Sequence, residues 1–85
     1  MSYSIIFKKA AEKQLDKIPT KFYLKIKQEI LSLSDNPFPF GYKKLVDTDN
    51  EYRIRIGVYR VVYTVDTDVL IIEIIKIGHR KDIYD

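Results

Sequence analysis

Tyr52-Arg53-Ile54-Arg55-Ile56-Gly57-Val58-Tyr59-Arg60-Val61-Val62-Tyr63 consists of two runs of β-branched, aromatic and basic side chains separated by a single glycine. Alternation of this kind marks a half-buried strand, and a glycine between two such runs supplies the backbone freedom of a tight turn. The stretch therefore reads as a β-hairpin. In its first arm Tyr52, Ile54 and Ile56 form the core side, while Arg53 and Arg55 share the other face. The hairpin carries three of the chain's four arginines and no acidic residue, so it is either a solvated sheet face or a floor for phosphate.

The other elements arrange themselves around it. Ser2 to Phe7 is short, aromatic and β-branched, and reads as a first strand ended by Lys8-Lys9. From Lys8 to Ile18, the spacing of Ala11, Leu15 and Ile18 predicts a short helix. Pro19 stops it and opens a second helix, from about Thr20 to Ser34, with a core stripe of Phe22, Tyr23, Ile26, Ile30 and Leu33 and with Lys21, Lys25, Gln28 and Ser32 facing water. Asp35 to Gly41 is loop chemistry rich in proline, Tyr42 to Val46 is partly extended, and Asp47 to Glu51 is an acidic turn. After the hairpin, Asp66-Thr67-Asp68 makes another turn, leading into Val69 to Ile77, whose apolar residues on both faces predict a central strand covered on both sides. Gly78 ends that strand. The order β-α-α-β-β-β, in a single domain spanning 1–85, predicts an α+β fold in which a helical hairpin packs on a small, mainly antiparallel sheet.

Composition removes several function classes. The 85 residues suffice for one core, and with no cysteine and a single histidine neither a disulfide framework nor an all-protein transition-metal site is expected. No stretch reads as a signal peptide or a membrane span, which predicts a cytoplasmic protein with no membrane partner. The net charge of +3 is a mild bias toward polyanions, but its distribution is informative. The seven lysines from Lys8 to Lys27 lie in the helical half, whereas Arg53, Arg55, Arg60 and Arg80 all fall in the strand region. Arginine presents a planar, permanently charged fork that matches phosphate oxygens, so the sheet side is the expected anion-binding side.

Antiparallel neighbours bring the start of one strand beside the end of the next, so Arg60 and Arg80 are expected to converge with Arg53 and Arg55. Such a cluster repels itself unless an anion or the acidic residues Asp47, Asp49, Glu51 or Glu73 offset it. His79 and Tyr84 flank Arg80 and Lys81. Histidine is the usual proton shuttle near neutrality, and a tyrosine beside arginines can exchange a proton or stack on an unpaired base. The plainer alternatives are a surface histidine and an aromatic that pins the C-terminus.

Two segments, Tyr52 to Tyr63 and Ile77-Gly78-His79-Arg80-Lys81-Asp82-Ile83-Tyr84, resemble the "Y-[KR]-[IL]-[KR]-x-G-x-Y-R-[VL]-x-Y" core and the "G-[HK]-R-x-x-x-Y" ending of the RelE/ParE toxins of type II toxin–antitoxin systems. The resemblance covers essentially the whole chain and implies a RelE-like fold of the microbial-ribonuclease kind. It further implies an endoribonuclease that needs no metal or other cofactor, cutting mRNA in the ribosomal A site by attack of a 2′-hydroxyl on the adjacent phosphate. Carried over by position, Arg60 and Arg80 are the phosphate-stabilising arginines and Tyr84 is the residue that orients substrate or takes a proton. His79 is the candidate general acid or a further phosphate contact, and Lys81 is an RNA contact. Arg53 and Arg55 stand where well-known members carry lysines, and because arginine is a poor proton shuttle they are expected to clamp phosphate electrostatically. The implied partners are a cognate antitoxin, the ribosome and mRNA. The alternatives are a ParE-like inhibitor of DNA gyrase and an inactive homologue that only binds its antitoxin.

Overall fold

In the computed structural model, which describes residues 2–83, the alternating stretch pairs with itself as two antiparallel strands, Glu51–Ile56 (β3) and Tyr59–Asp66 (β4). Around them lie strand Ser4–Phe7 (β1), helices Lys9–Asp16 (α1) and Thr20–Ser32 (α2), the two-residue strand Lys43–Lys44 (β2) and the strand Ile71–His79 (β5). The sheet order is β1-β5-β4-β3-β2, antiparallel except for the β1–β5 pair. The α+β architecture expected from the sequence is present, with β2 added where the chain reads as partly extended.

Both helices cover one face of the sheet. Ala11 and Leu15 of α1, with Ile26 and Ile30 of α2 and Leu33 just after it, are buried against Ile54, Val61, Tyr63, Ile72, Ile74 and Ile77. Phe22 and Tyr23 flank this core half-buried, and Lys21, Lys25, Gln28 and Ser32 are exposed as their spacing predicts. Pro19 caps α2, where its carbonyl accepts the Phe22 and Tyr23 N–H groups and its missing N–H costs nothing. Beyond the end of β1 the edge of β5 would be open, and the Gln14 side chain of α1 closes it by accepting the Ile77 N–H at 2.8 Å.

β5 departs from the expected doubly covered strand. Val69 and Leu70 belong to the turn, where Leu70 has φ of 58° and the Asp66 carboxylate accepts the Asp68 and Val69 N–H groups. The register moves from Val62 opposite Lys76 to Tyr63 opposite Ile74, leaving Ile75 as an extra residue in a β-bulge. The bulge inverts the phase of alternation, so the buried set runs Ile72, Ile74 and then Ile77. The run of isoleucines thus reflects one buried face read in two phases, with Ile71, Glu73 and Ile75 half-buried opposite. The strand also continues through Gly78 to His79.

The proline loop is pinned to the sheet by one fully buried phenol. Tyr63 donates its O–H to the Pro37 carbonyl at 2.7 Å, and Phe38, Tyr42, Tyr52 and Tyr63 form a chain of ring contacts with centroids 5.1 to 6.0 Å apart. Burial, reinforced by the neighbouring Tyr42 and Tyr52, raises the ionisation of Tyr63 well above the ordinary tyrosine range. The folded chain then holds this proton when the unfolded chain, titrating near pH ~10, releases it, so stability is intact below that pH and falls above it. Tyr63→Phe is expected to lower stability by about 1 kcal/mol at neutral pH through the lost hydrogen bond. The same variant should flatten the fall in Tm measured by circular dichroism above pH ~10.

Candidate functional site

The face of the sheet opposite the helices is where the arginines gather. Ile56 and Tyr59 are direct partners, so Gly57 and Val58 alone make the turn, with Gly57 at φ of 60° and Val58 at negative φ, the pattern of a type II′ hairpin. This loop sets Arg55 directly opposite Arg60, and Arg53 two positions along the same face opposite Val62. Like charges placed opposite each other oppose strand pairing, so positive charge is concentrated here at a cost.

The burial of these residues is uneven. Arg55 is exposed, whereas Arg53 is 4% and Arg60 8% exposed. Arg60 curls back on its own turn, and its Nη1 donates to the Gly57 and Tyr59 carbonyls, each at 3.1 Å. Arg53 directs Nη1 at the Gly41 carbonyl at 3.5 Å, a long contact that draws the approach to β2 over it. Alternation places Arg53 on the face away from the core, and strand pairing brings Arg60 to it. In the structure they are built into it, with hydrogen bonds offsetting part of the desolvation of a buried cation.

The end of the chain completes this face. The Arg80 N–H donates to the Val58 carbonyl at 2.7 Å, tying the residue after β5 to the same turn that Arg60 holds. Arg80 and Lys81 are exposed. Gly78 lies opposite Arg60, and Ile83 folds onto it, 5% exposed, so close that a Cβ on Gly78 would meet its Cδ1 at 3.3 Å. Ile83 and Val62 are buried outside the helix-covered core and give the arginine face a small apolar floor. Sequence reasoning passed over Ile83, although a glycine inside a strand pattern is the usual sign of a close approach of this kind.

His79 stands apart. It pairs with Tyr59, whose side chain packs on the helix side, and the two rings lie 6.0 Å apart. The histidine lines a cleft of about 330 Å³ with Lys17, Pro19, Tyr59, Lys76 and Asp82. The structure thus brings Arg53, Arg55 and Arg60 together, with Arg80 adjoining their turn, and sets His79 on the opposite side of the sheet. Tyr84 lies outside the described residues. Glu51 and Glu73 both pair with Thr64, well along the strands from Arg60. Among the described residues no group of three or more His, Cys, Asp or Glu side chains is arranged to hold a metal ion, and no helix is long and apolar enough to cross a membrane.

The family model for the ParE toxin of type II toxin–antitoxin systems, parDE, matches residues 5–84. The chain belongs to the RelE/ParE toxin superfamily. Among relatives of this RelE/ParE toxin, the putative toxin RelE1 of Methanocaldococcus jannaschii is 38% identical over 99% of this chain and 97% of its own length. Toxin RelE3 of the same organism is 35% identical over 95% of this chain and 94% of its own. The crystal structure of the archaeal RelE–RelB complex from Pyrococcus horikoshii OT3 matches at 31% identity and a TM-score of 0.83, covering 98% of this chain and 100% of that one.

The exposed side chains of this RelE/ParE toxin's basic face carry a direct expectation. In fluorescence-anisotropy titrations with a short single-stranded RNA, Arg80→Ala and Lys81→Ala should each weaken binding. If each cation neutralises one phosphate, each replacement should reduce the slope of log Kd against log salt by about 0.7.

Proposed function

We propose that this toxin is an endoribonuclease that cleaves mRNA in the A site of the ribosome and so inhibits translation. The observation that supports the reading is the placement of Arg55 opposite Arg60 on the face away from the helices, with Arg80 tethered to the same turn. Cleavage by this route moves few atoms. The 2′-oxygen attacks the neighbouring phosphorus as its proton passes to an acceptor, the bond from phosphorus to the 5′-oxygen breaks, and a donor protonates the departing oxygen. The products are a 2′,3′-cyclic phosphate and a 5′-hydroxyl.

The largest demand of such a step is fixed positive charge where the phosphorane gathers negative charge. Arg60 is held rigidly by its two turn carbonyls, and Arg80 is the more accessible partner, so together they supply this charge without needing to reorganise. Arg53, Arg55 and Lys81 contact flanking phosphates in this reading. Tyr84 orients the substrate and serves as proton acceptor, the chemistry for which arginine is unsuited. The archaeal relative described above was crystallised as a RelE–RelB complex, and by the same likeness this chain is held inactive by an antitoxin. Exposed Leu24 and Leu31 on α2, with the fully exposed Phe40, offer apolar contact for that partner, and acidic antitoxin residues complement the arginine face.

Arg80 gives the cleanest test because its side chain is exposed and its loss should not disturb folding. In a translating extract read by primer extension on a reporter mRNA, Arg80→Ala is expected to cut about 10²- to 10³-fold more slowly than the parent chain at an unchanged Tm. Equal cleavage by both chains would overturn the assignment. The family description names ParE, so gyrase is the second candidate target. Inhibition of purified gyrase in a supercoiling assay, with no cut in the message, would establish that reading instead.

A further inference from the structure

We infer that His79 acts as a positioning residue that shapes the turn carrying Arg80 and Lys81, and that it does so as a neutral ring accepting a hydrogen bond. The inference rests on the ribonuclease reading for its effect on rate and on geometry alone for its effect on the turn. His79 Nδ1 accepts the Lys81 N–H at 3.2 Å, and the His79 carbonyl accepts the Asp82 N–H at 2.8 Å. With the Arg80 N–H given to the Val58 carbonyl at 2.7 Å, three successive amides, those of Arg80, Lys81 and Asp82, have fixed acceptors. The backbone under both exposed cations is thereby set. A ring nitrogen that accepts an N–H carries no proton, so the proton of the neutral ring resides on Nε2.

The geometry is one this chain uses elsewhere with different residues. The Asn36 side chain accepts the Phe38 N–H at 3.1 Å, and the Asp66 carboxylate accepts the Asp68 N–H at 3.0 Å. Both are side-chain acceptors for the amide two residues on, the bond that Asn and Asp make in Asx turns. His79 performs the same task with an imidazole. Its ring lies against that of Tyr59 from β4, on the side of the sheet away from Arg55 and Arg60, and the residue lines a cleft with Gln14 of α1, Lys17 just after that helix, Lys76 of β5 and Asp82 beyond it. A proton donor for the departing oxygen belongs on the arginine face, and this ring is on the other. Protonation of Nδ1 would put a second hydrogen against the Lys81 N–H and release the turn.

Replacement by asparagine separates the roles, because its amide oxygen can accept the same bond while the side chain cannot titrate. The parent chain, His79→Ala and His79→Asn are compared for cleavage of reporter mRNA in a translating extract, for thermal unfolding and for the amide resonance of Lys81. His79→Ala should lose about tenfold in kcat with little change in Tm, as one hydrogen bond's worth of ordering is lost. His79→Asn should stay within about twofold of the parent, because its amide oxygen restores the bond to the Lys81 N–H. The Lys81 amide resonance should move in His79→Ala and return toward the parent position in His79→Asn. An asparagine variant as slow as the alanine one, with both folded, would overturn the inference in favour of proton transfer by the ring. An unmoved Lys81 resonance in His79→Ala would overturn it as well. Should the parent chain cut no message, the ribonuclease reading fails, and the Lys81 resonance alone decides whether His79 sets this turn.

Discussion

One unpaired residue, Ile75, decides which side of the sheet the end of the chain serves. Strand side chains alternate with period two, so the bulge at Ile75 exchanges the faces of everything that follows it. With it, Ile77 enters the core, Gly78 stands beside Arg60, and His79 meets Tyr59 under the helices. Without it, Gly78 would leave a gap in the core and His79 would face the arginines. The position of Ile83 depends on the same residue, because its seat is the missing side chain of Gly78. The arginine face, its small apolar floor and the separation of His79 therefore share a single origin within β5.

The extent to which the sequence predicted this depended on how local each signal was. The hairpin was legible because alternation and a turn glycine lie within twelve adjacent residues. The helices were legible too, since Ala11 with Leu15 and Ile26 with Ile30 repeat at helical spacing, and Pro19 marks the boundary between them. The two-residue strand β2 carries no periodicity and is defined only by its partners Arg53 and Tyr52. The bulge has no local signature, and an isoleucine run in two phases looks the same as a strand buried on both faces. The basic residues of the candidate site could be named from composition and spacing. Their burial could not, because Arg53 is covered by the approach to β2 and Arg60 is bound to carbonyls of its own turn.

The turn at Gly57 and Val58 accepts contacts from both directions along the chain. Arg60 bonds to the carbonyls on either side of Val58, and Arg80 reaches the Val58 carbonyl from the far end of β5. A two-residue loop is stiff, so two arginines distant in sequence are referred to one short stretch of backbone. Rigid placement matters more than added charge where a cluster of like charges must be kept together, since flexible side chains would separate.

The parallel contact between β1 and β5 sets when the sheet can be completed. Among the described residues β1 precedes every other strand and pairs with β5, which follows them all, with Ser4 opposite Ile71 and Phe7 opposite Ile74. Contacts of such long sequence separation form late, after the entropy of closing the intervening loop has been met. β1 must therefore wait, with its edge unsatisfied, until β5 has been made. A chain interrupted before β5 lacks the strand that joins β1 to β4, so a truncated product cannot carry a finished basic face.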